Sequence, residues 1–347
     1  MTAMAVDVRT ADASVDAGHE AQPPLPLPTV RLASDAFLGE LDALIRDRMR
    51  HQQPLQVKRG GGGRSLGFKL DFADGTRAYF KPEQTFSGAN YRAEIAAYHL
   101  DRVLGLGRVP PVVSRSFAWE ILRDAAGEDS RVAELVIQPD GTLRGALIYW
   151  LPEPMAPAKT PNGFENWLRV ETFTPWAISP YKRPAEYAKA LRRNRELVRR
   201  NAEPDINFEQ VPVLTDPKFA QALSDMIIFD FLTLNVDRWG GDNANVLAYG
   251  KGQQTLIFLD NGAGFSPGPP TRGLLDDRLL PLQRFRRSTI EALRKLDFAE
   301  LWARLDGEPL APILSGDDRA ALAVRRDKVL EHVAAMQAKF GDAVYAW

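Results

Sequence analysis

The chain predicts an α+β fold of two lobes, a small β-rich lobe over about 31–150 and a larger, mostly α-helical lobe over 151–347. Three observations predict it. A glycine run lies between two alternating strands, and the return strand ends in a lysine just before a helix carrying a glutamate. An apolar segment, Ile228-Phe-Asp-Phe-Leu-Thr-Leu234, then delivers Asn235, Asp237 and Arg238 to a loop. A second apolar segment, Leu256-Ile-Phe-Leu259, ends on Asp260.

At 347 residues the chain can bury a large core. With 45% hydrophobic and 26% charged residues, fibrous and wholly disordered classes are excluded. A net charge of −1 gives no general attraction to nucleic acid, which is not expected as a partner. There is no cysteine, so disulfides, thiolate metal sites and cysteine nucleophiles are excluded. No run approaches the ~20 apolar residues of a membrane span. Residues 1–30 carry Asp7, Asp12, Asp16, Glu20 and Pro23, Pro24, Pro26 and Pro28, the composition of a disordered, proline-rich leader without an apolar signal core. The sequence therefore reads as cytoplasmic. Oligomeric state leaves no mark in it.

A helix is expected over Ala36–Met49, with Phe37, Leu41, Leu44 and Ile45 on one face. Leu55 and Val57 begin a strand that runs into Arg59 and the glycines, of which Gly61, Gly62 and Gly63 could bring bare backbone amides close to phosphates. Leu66, Phe68, Leu70 and Phe72 alternate with polar neighbours as a half-buried strand. Asp74-Gly75 marks the turn, and Arg77–Lys81 returns. A helix over about Tyr91–Leu104 follows, holding Glu94. This is the order of a protein-kinase N-terminal lobe. Residues 112–150 read as further strands, with a turn at Asp140-Gly141.

Pro152, Pro154, Pro157, Pro161, Pro175, Pro180 and Pro184 punctuate 151–218, which reads as an irregular insertion. Inside it, 182–200 holds eight basic residues against Glu186 and Glu196. That is the pattern of a solvated helix face, with an acidic-substrate dock as the alternative. Phe219–Leu234 is apolar nearly all round and reads as a buried helix. Strands over Val246–Tyr249 and Thr255–Leu259 form a hairpin ending at Asp260-Asn-Gly262. Ser288-Thr-Ile-Glu291 fits a capping box opening a helix to about Leu305, and a last helix spans about Asp317–Phe340.

The chemistry these parts suit is phosphoryl transfer. A fixed carboxylate, Asp237, can accept the proton of an attacking hydroxyl. Asp260 can hold a hard cation, Mg²⁺ or Mn²⁺, whose shell nucleotide phosphates complete. Asn245 is the best-placed second metal ligand, with Asp242 and Asn243 as competitors. Lys81 can reach the ATP phosphates with Glu94 as its partner. The blander reading of each is a turn aspartate or a solvated surface charge; their order along one chain favours the functional one. His19, His51, His99 and His332 have no metal-ligand spacing, and no nucleophile elbow is present for serine hydrolysis.

With these residues in hand the chain resembles the four-jointed and Golgi casein kinase family, which includes the glycosaminoglycan xylosylkinase. The blocks that carry the resemblance are Val57-Lys-Arg-Gly-Gly-Gly-Gly63, Ala78-Tyr-Phe-Lys-Pro82, Ala93-Glu-Ile-Ala-Ala-Tyr98, Arg108-Val-Pro-Pro111, Asn235-Val-Asp-Arg238 and Leu259-Asp-Asn-Gly-Ala-Gly-Phe265. They fall in family order over about 40–300. The resemblance implies an atypical protein-kinase-like fold and transfer from ATP to a hydroxyl on a protein serine or threonine, a glycan or a small molecule. It implies Lys81 on the nucleotide, Glu94 near Lys81 and the metal, Asp237 as base, Asp260 as metal ligand, and Mn²⁺ as the favoured ion. The family's members are secreted and disulfide-bonded, whereas this chain has no cysteine. Trp239-Gly-Gly-Asp-Asn243 stands where the Golgi casein kinase has a histidine-rich continuation. A pseudokinase scaffold is the rival reading; retention of Glu94, Asp237 and Asp260 ranks it second.

Overall fold

A computed structural model describes residues 36–38, 40–61, 63–160, 163–171, 181, 184–200, 213–239, 245–250, 255–265 and 275–347. The expected leader, Gly62, Asp242 and Asn243 lie outside the described residues.

The first expectation to change is the helix at 36–49. Residues Ala36–Phe37 (β1) and Glu40–Leu41 (β2) pair as a short hairpin, and helix α1 runs only over Asp42–His51. Its inward face is Asp42, Ile45 and Met49, while Leu41 and Leu44 are exposed. Leu38 between the strands has φ 52°, which no helix accommodates. Asp42 then fastens the helix start, its carboxylate accepting from the Tyr98 hydroxyl at 2.9 Å and from the buried Arg102.

Five antiparallel strands follow: β3 (Pro54–Arg59), β4 (Phe68–Phe72), β5 (Arg77–Pro82), β6 (Val112–Ala118) and β7 (Thr142–Tyr149), in the order β3-β4-β5-β7-β6. Period-two alternation turns Phe68, Leu70, Phe72, Ala78 and Phe80 to one face, where they pack with Val113, Phe117, Leu143 and Leu147. Helix α2 (Tyr91–Val103) links β5 to β6. Its N-cap is Asn90, whose side chain accepts from the Arg92 amide. Beyond β6 the expected strand is instead a helix, α3 (Trp119–Ala126). Leu122 and Ala126 are buried while Asp124 between them is exposed, which a helix satisfies and a strand, turning all three to one face, does not. The turn at Asp140-Gly141 stands, with Gly141 at φ 76°.

Within 151–218 the described parts are β8 (Met155–Pro157), a 3-10 turn over Phe164–Leu168, and the basic helix α4 (Pro184–Arg199). Helix α5 (Pro217–Thr233) is capped by Asp216, starts on a proline, and is buried on all sides from Ala222 to Thr233. Strands β9 (Leu247–Tyr249) and β10 (Thr255–Ile257) pair antiparallel and take β8 as their third member. Helices α6 (Asp276–Leu279), α7 (Arg287–Arg294), α8 (Phe298–Asp306) and α9 (Gly316–Phe340) complete the lobe. The single helix expected to Leu305 is thus two. The box expected at Ser288 does not form, since α7 starts one residue earlier with Arg286 at its uncapped end and Thr289 gives its hydroxyl to buried Asp225; Asp297 starts α8 by accepting from the Ala299 and Glu300 amides.

Candidate active site

Four elements bring the charged groups together. Lys81 lies near the end of β5 between the buried Phe80 and Pro82, so alternation turns it to the opposite face of the sheet. Gly145 on β7 permits this close approach: a Cβ there would sit 2.4 Å from the Lys81 carbonyl oxygen and 2.5 Å from the Phe80 ring. Glu94 projects from the first turn of α2 and is 1% exposed. Its Oε1 takes Lys81 Nζ at 2.5 Å, and its two oxygens accept from the Asn261 amide at 3.0 and 3.1 Å. Lys81 Nζ also donates to Asp260 Oδ1 at 2.6 Å.

Asp260 stands at φ 61°, a left-handed conformation that costs a non-glycine residue roughly 1–2 kcal/mol. Bonds on both sides hold it there. Its carbonyl accepts from Asn235 Nδ2 at 3.1 Å, the Leu259 carbonyl accepts from Arg238, and the Asn261 amide is taken by Glu94. The left-handed residue turns the carboxylate out of the strand line into the cleft, where the side chain remains 47% exposed.

Asp237 is held by two asparagines. Its amide donates to Asn235 Oδ1 at 3.2 Å, and Asn245 Nδ2 donates to Asp237 Oδ2 at 3.2 Å. Asn245 is thereby attached to Asp237, and among the described contacts nothing joins it to Asp260. Asp237, Asp260, Lys81, Gly61 and Gly63 line one cavity of about 720 Å³, whose walls include Tyr79, Trp150 and Met155.

The electrostatics divide the two aspartates. The Lys81 ammonium holds the Asp260 carboxyl below its ordinary value against the effect of burial. Burial, and then the Asp260 charge, push Asp237 up. Burial opposes the charge on Lys81, but Asp260 and Glu94 prevail and hold it well above the usual lysine range. The site thus contains one carboxylate stabilised as an anion and a second tuned toward accepting a proton.

A hard cation fits this donor set, the carboxylate oxygens of Asp260 and Asp237, both of which are presented to the cavity. Among the described residues no three His, Cys, Asp or Glu side chains group into a self-sufficient cage. That suits an ion completed by phosphates and water. Glu94, engaged by Lys81 and Asn261, stands behind the lysine and does not line the cavity.

Sequence reasoning named Arg238 but gave it no role. The structure makes it the hub of the floor. Its guanidinium reaches Asp230 Oδ1 at 3.1 Å, Asn261 Oδ1 at 2.8 Å and the carbonyls of Leu259 and Asn245, and it is fully buried. Burial raises the Asp230 carboxyl to about 6 against the pull of Arg238. A signal was present: Asp230 interrupts the apolar run of α5, and a carboxylate so placed requires a cation.

Residues 39–343 match the family described as Golgi casein kinase, C-terminal, Fam20. The chain is 30% identical to human (Homo sapiens) extracellular serine/threonine protein kinase FAM20C over 84% of its own length and 53% of that protein's. It is 27% identical to the Drosophila melanogaster extracellular serine/threonine protein CG31145, covering 88% of this chain and 62% of the relative. It is 25% identical to human glycosaminoglycan xylosylkinase, covering 87% and 76%. The chain therefore spans between about half and three quarters of these relatives. Among solved structures, that of hydra Fam20 with sugar aligns at TM-score 0.59 and 25% identity, covering 86% of this chain and 90% of the other. The Golgi casein kinase with Mn and ADP bound aligns at TM-score 0.60 and 18% identity, covering 89% and 80%, a likeness of fold.

These relatives correct one expectation. A cytoplasmic location is contradicted, because FAM20C and CG31145 are named as extracellular proteins and a solved neighbour is the Golgi casein kinase. The absence of cysteine misled because a core this large needs no disulfide to be stable, so it reports poorly on compartment. Among the described residues no helix is long and apolar enough to cross a membrane.

Proposed function

The chain belongs to the Golgi casein kinase (Fam20) family, and on that premise we propose that it transfers the γ-phosphoryl group of ATP to a hydroxyl. One observation carries the reading: Lys81, Glu94 and Asp260 form a bonded triad on one side of a nucleotide-sized cavity that Asp237 also lines. In the transfer, the acceptor oxygen bonds to the γ-phosphorus, the bond to the β,γ-bridging oxygen breaks, and ADP departs. The proton of the hydroxyl passes to the Asp237 carboxylate, which Asn235 and Asn245 keep oriented. Lys81, clamped between two carboxylates, presents its ammonium to the nucleotide phosphates, and the backbone at Gly61 and Gly63 covers them from above. When bound, Mn²⁺ or Mg²⁺ supplies charge neutralisation on those phosphates, with Asp260 as its protein ligand and Asn245 as the second candidate.

The acceptor we propose is a protein serine or threonine hydroxyl, as the name of FAM20C says of that relative. A glycan hydroxyl is the variant that the xylosylkinase relative supports. The test uses purified protein, γ-labelled ATP and Mn²⁺, followed by mass spectrometry of a treated lysate, with wild type beside Asp237→Ala. The substitution is expected to cut transfer on the order of 10²–10⁴-fold without altering the fold. Equal transfer by both proteins refutes the assignment.

A further inference from the structure

The glycine run has the composition of a loose linker, yet the structure braces it. The loop is closed at its base by the Gly60 amide donating to the Gly67 carbonyl at 2.7 Å. Gln84 clamps Leu66 from the side, accepting from its amide at 2.8 Å and donating to its carbonyl at 2.9 Å. Tyr79 forms the floor: a Cβ on Gly60 would lie 2.3 Å from the Tyr79 hydroxyl, and one on Gly67 2.5 Å from it. Gly60, which opens the run, and Gly67, which closes the loop, are therefore demanded by the tyrosine beneath them and not by flexibility.

The tip is held by a different element. Residues Ser130–Glu134 form a 3-10 turn beside the loop, capped by Asp129. From it, Arg131 Nη1 donates to the Gly63 carbonyl at 2.9 Å and to the Ser65 carbonyl at 3.0 Å. Asp129 fixes the other edge of that guanidinium, accepting from Nε at 2.9 Å and Nη2 at 2.7 Å. Asp129 also takes Arg59, at the loop's entry, at 3.2 Å. Glu134 takes Arg64 through two bonds of 2.7 Å, and Arg64 lies over the Phe86 ring at 4.5 Å on the cleft wall. Arg131 is 20% exposed against 55% for Arg64, so the Arg131 bonds are the less screened of the two sets.

We propose that Arg131, oriented by Asp129, is a positioning residue that holds the phosphate-covering loop closed over the cleft before the nucleotide arrives. The inference rests on the kinase reading and adds the device that orders its loop. Glycine loses more freedom on ordering than any other residue, so a loop ordered in advance spares nucleotide binding that loss. The effect therefore falls on nucleotide affinity and leaves the chemical step, run by groups that Arg131 does not touch.

Arg131→Ala should raise KM for ATP roughly tenfold with kcat changed by less than about twofold. In the nucleotide-free protein, amide hydrogen exchange at Gly63, Arg64 and Ser65 should accelerate in the same variant. Asp129→Asn should reproduce both effects, and Arg131→Lys, which keeps the charge but lacks the fork, should fall between. Unchanged KM with unchanged exchange overturns the brace. A fall in kcat and melting temperature at constant KM overturns it too, since that marks a structural role alone. Failure of the kinase reading shows separately, as absence of ATP binding by the unsubstituted chain, and it removes this inference as well.

Discussion

At the scale of single residues the site separates two aspartates by their surroundings. Asp260 is ion-paired with Lys81 and Asp237 is not, so the same side chain type is stabilised charged in one place and shifted toward protonation in the other. This yields a direct prediction for the nucleotide-free protein. Carboxyl NMR should show Asp237 titrating above the ordinary 3.8, because burial and the Asp260 charge both oppose its ionisation. Asp260→Asn should lower that midpoint by removing one of the two causes. An Asp237 midpoint indifferent to Asp260 would break the coupling claimed here. Arg238 is the residue on which this arrangement depends, since it joins Asp230, the Asp237 loop and the Asp260 turn through one guanidinium.

At the scale of elements the cleft depends on how closely β5 and β7 approach. Their register sets Lys81 opposite Ala146 and Pro82 opposite Gly145, with no room for a side chain at the glycine. Gly145→Ala should cost about 1–3 kcal/mol in denaturant unfolding, the usual range for overpacking. It should also weaken nucleotide binding, because the backbone that must yield is that of Lys81. A variant as stable and as active as wild type would show that the strands separate freely. Helix α2 performs two tasks from adjacent turns. Glu94 holds Lys81 from behind the cleft, while His99, five residues on, faces a buried carboxylate on the other lobe.

At the scale of the whole molecule that carboxylate, Glu308, fastens the lobes. It follows α8, is 3% exposed, and accepts from the Ser114 amide and hydroxyl at 3.1 and 3.0 Å. It also pairs with Arg46 and with Arg50 at 3.2 Å, and meets His99 Nε2 at 2.8 Å. Burial works against its charge, but His99 and Arg46 prevail and bring its pKa down to about 2 from 4.5. Burial takes His99 down to about 4 from 6.5. Both folded values are depressed, so both contributions are present at neutral pH and are lost on acidification. His99 begins to lose its share below 6.5, and Glu308 below 4.5, the latter worth on the order of 3 kcal/mol in total. Denaturant midpoints measured from pH 7 downward should fall accordingly, and Glu308→Gln should start lower and show a flatter acid slope. Parallel slopes in the two proteins would remove Glu308 from this role. The large core likewise crosses the junction, joining Ala93, Ala96 and Leu100 of α2 to Leu223, Ile227 and Phe229 of α5. Short-range periodicity and order made several things legible in the chain alone: the alternating strands, the wholly buried helix, the last helix, and the chain order of Lys81, Glu94, Asp237 and Asp260. Everything that depends on approach between separate segments emerges only in the packed chain. Arg238 pairing with Asp230 and Asn261, Gly145 opening space beside Lys81, Arg131 bracing Gly63, and Glu308 reaching Ser114 all join residues whose need for one another is set by burial. Burial is a property of the packed chain, and a linear pattern records only that a partner is required, not which one.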